Sequence, residues 1–134
     1  MALVIGVILA LAVALFASVV GLDRERSFYA TVLIVIGSLY GLFAAIGGVG
    51  STSLAEWVFV AAFVGLAVIG FKFSPWFLVA GLAAHGVFDL FHGHVIANPG
   101  VPAWWPDFCL SYDVTAAVYL AWLIRRRRTP KTEV

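Results

Sequence analysis

Five long apolar runs, separated by brief polar interruptions, set the pattern of this chain. The first, Ala2 to Leu22, is almost wholly Ala, Leu, Val, Ile and Gly, and Asp23-Arg24-Glu25-Arg26 ends it. The second runs from Phe28 to Val49 and closes at Gly50-Ser51-Thr52-Ser53. The third, Leu54 to Phe71, stops at Lys72, and Phe73-Ser74-Pro75-Trp76 turns the chain into the fourth. That fourth run reaches about His94. Between Ala97 and Pro106 lie Pro99, Gly100, Pro102 and Pro106, which forbid a continuous helix there. The fifth covers Asp107 to Ile124 and ends in four arginines and a polar tail.

Each run has about the ~20 residues a helix needs to cross the hydrocarbon of a bilayer. The pattern therefore predicts an all-α, polytopic membrane protein: a single transmembrane domain built as a bundle of five transmembrane helices. The spans are expected at about 2–22, 28–49, 54–71, 75–94 and 107–124, with a short basic tail at 125–134. No basic segment precedes the first run, so it reads as a retained helix rather than a secretory signal. Gly37, Gly41 and Ala45 form a small-xxx-small series in the second span, a face on which another helix backbone can approach closely, and a candidate seam for a homo-oligomer.

Composition strengthens this picture. Of 134 residues, 63% are hydrophobic and only 11% charged. Soluble domains average roughly half apolar and a quarter charged. The lipid bilayer is then the partner of most of the surface, in a cell or plasma membrane.

The placement of charge gives an orientation. Arg24 and Arg26 fall in the first connection, Lys72 in the third, and Arg125 to Arg128 with Lys131 after the last span; the second and fourth connections have neither Lys nor Arg. The positive-inside rule then puts the amino terminus outside and the carboxyl terminus in the cytoplasm. Because topology accounts for the arginine cluster, it offers no support for nucleic-acid binding. One cysteine, Cys109, excludes an internal disulfide and any Cys-pair site.

The chemistry concentrates in the fourth and fifth spans. His85, Asp89 and His92 recur at i, i+4 and i+7, hence on one helix face climbing about 10 Å. Cys109 and Asp113 share a face of the fifth span, and antiparallel neighbours should bring Asp113 near the depth of Asp89. Ionisable groups at such depth cost on the order of 2.5 kcal/mol or more, so they turn inward and find partners.

Imidazole with carboxylate suits a divalent transition metal: zinc, iron, copper or manganese. The expected ligands are His85, Asp89, His92 and Asp113, with Asp89 and Asp113 as the catalytic carboxylates acting on a lipid or another membrane-soluble substrate. The same residues also suit a proton or metal-ion relay in a transporter or channel component, or a non-catalytic subunit of a larger membrane complex. Glu56 reads as a first-turn carboxylate favouring its helix dipole, Asp107 as a helix N-cap, Cys109 as a small packing residue, and His94 and Trp104-Trp105 as interfacial groups.

Overall fold

The structure is a computed structural model describing residues 1–48, 50–95 and 98–128. Positions 49, 96 and 97 and the tail from 129 on, with Lys131, lie outside the described residues. The elements are α1 (Ala2–Val20), one 3-10 turn (Leu22–Arg24), α2 (Arg26–Gly47), α3 (Gly50–Lys72), α4 (Trp76–Val95) and α5 (Trp105–Arg128). All five α-helices are long and apolar enough to cross a membrane.

Local chemistry sets the helix ends. Gly21 and Gly48 take left-handed backbone at φ 94° and 65°, and their N–H groups bond back to the last turns of α1 and α2. An L side chain is strained there and glycine is not, so each glycine lets its helix stop cleanly. Ser74 Oγ accepts the Trp76 N–H at 3.3 Å, which with Pro75 starts α4.

Two of the boundaries that differ from the sequence reading matter for the site. α3 begins at Gly50, because Ser51-Thr52-Ser53 joins the helix rather than a turn, so Glu56 sits well past the first turn. In α5 the Trp104 carbonyl accepts the Phe108 N–H, which makes Trp104 the cap and puts Asp107 inside the first turn. Pro106 fits that first turn because its missing N–H would have had no helical partner. At the other end α5 runs on through the arginines, which are good helix formers.

The helices pack in the order α1, α5, α4, α3, α2, with α2 also touching α4. The last helix is therefore inserted between the first and the fourth, and α1 and α2, though consecutive, do not pack on each other. Small residues allow the close contacts. Gly6, Ala10, Ala14 and Ala17 form the buried stripe of α1, and a Cβ on Gly6 would collide with Ser111 Oγ and the Phe108 carbonyl of α5. The Gly37 and Gly41 face is covered within the chain by Phe63 and Trp57 of α3. The apolar core runs through Leu33, Leu78, Leu82, Ala117 and Leu120.

The two ends of the bundle differ. At one, Trp104 and Trp105 lie beside Met1 and Ile5, and Gly100 packs on the carbonyl of Phe43. At the other, Arg127 bonds the Asp23 carbonyl at 2.7 Å and its carboxylate at 3.1 Å, and Arg26 reaches the Phe71 carbonyl at 3.4 Å. Every described Lys and Arg belongs to this second, arginine end.

Candidate metal centre

One stripe of α4 holds Leu78, Leu82, His85, Asp89 and His92, and a stripe of α5 holds Cys109, Asp113, Ala117 and Leu120. Gly86 lets these helices meet beside His85: a Cβ there would stand 3.2 Å from Val114 Cγ2 and 3.3 Å from Asp113 Cβ. The approach brings Asp113 Oδ2 to 2.7 Å from His85 Nδ1, while Asp89 Oδ2, one turn along α4, lies 3.4 Å from the same nitrogen. Cys109 completes the group. His85, Asp89, Cys109 and Asp113 offer ligand atoms all within 4.8 Å of one another, and none is more than 2% exposed.

Hydrogen bonding leaves this group incomplete. His85 Nε2, both carboxylate oxygens of Asp89, and Asp113 Oδ1 are buried without a hydrogen-bond partner. Leaving such a group unsatisfied costs about 1–3 kcal/mol, more where it is charged. Charge sharpens the point. Two carboxylates sit at the heart of an apolar bundle, and every described Lys and Arg belongs to the arginine end. A protonated His85 balances one carboxylate; a divalent cation balances both. Ligand atoms around a tetrahedral ion with ~2.0–2.3 Å bonds stand about 3.3–3.8 Å apart, so small side-chain shifts would close this quartet on an ion.

Of the residues expected from sequence, His85, Asp89 and Asp113 come together. His92 stands outside the group, because i+7 places it about 10 Å along the helix axis from His85. Its Nε2 instead meets Glu56 Oε1 at 2.5 Å. Asn98 Nδ2 donates to the same Glu56 oxygen at 2.9 Å and to the Tyr40 carbonyl at 3.2 Å, and its own carbonyl oxygen accepts the Gly100 N–H at 3.2 Å. Tyr40 links the two clusters. Its ring stacks on His92 at 3.9 Å between centroids and lies 6.1 Å from the His85 ring. His94 is exposed in the last turn of α4.

Sequence reasoning gave Cys109 and Glu56 structural roles and assigned none to Asn98. Cys109 had a signal in its i, i+4 relation to Asp113. Glu56 had one in being the only acidic residue of its run, a strong hint in a helix with no lysine or arginine before Lys72. Tyr40 had a signal only as one of the few polar groups, with Tyr29, Thr31 and Ser38, in a largely apolar run. Asn98 carries no signal beyond preceding a proline.

A third polar set lies at the arginine end, where Ser18 donates to Asp23 and meets the Tyr119 hydroxyl at 2.7 Å. The apolar layer of Leu33, Leu78, Leu82, Ala117 and Leu120 lies between it and His85. On its flank the centre approaches a lateral groove of about 480 Å³ between α1 and α2, floored by Trp105, Phe108, Cys109 and Tyr112 of α5. No known protein family matches this chain, and comparison with characterised proteins and solved structures brings up no relative.

Proposed function

We propose that this is an integral membrane protein that holds a divalent transition-metal ion between α4 and α5, with His85, Asp89, Asp113 and Cys109 as ligands. The observation that carries the reading is the pair of fully buried carboxylates on one imidazole, with three of their four oxygens lacking a formed hydrogen bond. One nitrogen, two oxygens and one sulfur match zinc best, with iron, copper and manganese as the other candidates. Such an ion polarises a carbonyl or phosphoryl oxygen or activates a water. In this reading the amino terminus is outside, the arginine end is cytoplasmic, and the centre belongs to the outer half.

The substrate class is a lipid or another membrane-dissolved molecule. Supporting this, the lateral groove is almost wholly apolar, lies within the usual ~300–1,000 Å³ range of ligand pockets, and is lined at its floor by the candidate ligand Cys109. The apolar layer below His85 weighs against a conduit running the length of the protomer, and so against the relay reading.

Elemental analysis of the detergent-purified protein tests the metal. The expected result is near-stoichiometric metal in the wild type and in Glu56→Gln, and its loss in His85→Ala, Asp89→Asn and Asp113→Asn. A wild type that stays free of transition metal after loading with zinc, iron, copper and manganese overturns the reading.

A further inference from the structure

Outside the quartet, the buried Glu56, His92 and Tyr40 form a second polar cluster with the half-buried Asn98, and none of them belongs to the candidate centre. Glu56 is fully buried in α3 and His92 3% exposed in α4. Within this cluster Glu56 Oε2 is buried with no hydrogen-bond partner. A cluster serving only to tie helices together would satisfy its own donors and acceptors, since interhelical hydrogen bonds return only ~0.6 kcal/mol on average in a membrane. A carboxylate and an imidazole in contact are also a cation-ligand pair in their own right.

Its position is as telling as its chemistry. His92 lies one turn beyond Asp89 toward the Trp104 end, and the Tyr40 ring spans the two clusters, stacked on His92 at 3.9 Å and 6.1 Å from the His85 ring. On the far side, Asn98 closes the pair: its amide nitrogen bonds Glu56 and the Tyr40 carbonyl, and the Gly100 N–H holds its carbonyl oxygen. Gly100 is itself pressed on the Phe43 carbonyl, where a Cβ would collide. The sequence from the end of the bundle inward is therefore Asn98, then Glu56 with His92, then Tyr40, then Asp89.

From this order, and resting on the metal-centre reading above, we infer that Glu56 and His92 form an outer, transient cation site through which the metal ion passes to and from the His85 centre, with Asn98 as its cover. The ion takes the Glu56 carboxylate and the His92 nitrogen in place of the proton they share, then moves past Tyr40 to Asp89. Glu56 and His92 act on the rate of exchange, and the quartet sets the affinity.

Zinc release from the loaded, purified protein into excess chelator, and cobalt uptake by the metal-free protein, test the inference. Wild type, Glu56→Gln, His92→Gln and Asn98→Ala are compared at matched thermal stability, and all four should bind one ion at equilibrium. The two gate variants should exchange about tenfold or more slowly, the loss of roughly 1.4 kcal/mol of stabilisation along the path. Asn98→Ala should exchange faster. The opposite directions separate a passage site from a structural network, which would move all three rates alike. Unchanged rates in the gate variants, or loss of equilibrium binding with Glu56→Gln, overturn the inference while leaving the quartet in place. A wild type that binds no metal removes both readings.

Discussion

At the residue scale, the cost of the centre is the clearest argument for its purpose. His85, Asp89 and Asp113 bury three ionisable groups and leave four of their polar atoms without a formed hydrogen bond. Replacing a buried ionic set by well-packed apolar residues is often neutral, or stabilising by ~1–4 kcal/mol. The triple variant His85→Leu, Asp89→Leu, Asp113→Leu should therefore melt at or above the temperature of the metal-free wild type in the same detergent, and hold no metal. A markedly lower melting temperature would show that the set is there to tie α4 to α5. Cys109 allows a finer test. The residue is 2% exposed, and its sulfur is grouped with the ligand atoms of the other three. Cobalt-loaded wild type should show a near-ultraviolet sulfur-to-metal absorption band, and Cys109→Ser should lose that band while retaining cobalt more weakly. These residues were unequally legible. The i, i+4 spacing exposes His85 with Asp89, and Asp113 sits too deep in its run to cap a helix. The pairing of His92 with Glu56 was hidden, because helical spacing reports what shares a face and says nothing of what a neighbouring helix brings to it.

At the element scale, helix existence was legible and helix ends less so. Apolar runs of membrane length leave the backbone few choices, since only a helix satisfies its own N–H and C=O groups in hydrocarbon. The ends depend on weaker effects, such as whether Gly50-Ser51-Thr52-Ser53 turns or joins α3, and that choice decides whether Glu56 lies in the first turn of the helix or beyond it. The close approach of α4 and α5 rests on Gly86, where a Cβ would stand only 3.2–3.4 Å from Val114, Asp113 and Leu110. Gly86→Val should push α5 away from His85 and lower metal affinity about tenfold or more, the effect of disturbing groups that orient a ligand, read as reduced occupancy by elemental analysis. Gly65→Val on α3, where a Cβ meets nothing within 4 Å, serves as the matched control and should retain full occupancy. Equal occupancy in the two variants would mean that the centre tolerates a displaced α5.

At the scale of the whole molecule, the arginine end and the Trp104 end divide the chemistry as well as the charge. The polar clusters of the centre fill the half of the bundle toward Trp104, and an apolar layer separates them from the Asp23–Arg127 set. Lys and Arg resist translocation, so the end that carries them should stay in the cytoplasm. Residues of the two ends can report this directly, because Cys109 is the single natural cysteine. In a Cys109→Ser background, a cysteine at exposed His94 should react with a membrane-impermeant maleimide on intact cells. A cysteine at exposed Lys72 should react only after the membrane is opened. The reverse pattern would turn the bundle over and bring the Glu56–His92 pair to the cytoplasmic side, with the geometry of the centre unchanged. The expected pattern has a chemical consequence: an ion entering at Asn98 would come from outside the cell, whereas a membrane-dissolved molecule in the groove between α1 and α2 would come from the bilayer itself. Metal and substrate would then approach Asp89 and Cys109 from different phases, and neither would have to pass the apolar layer around Leu82 and Ala117.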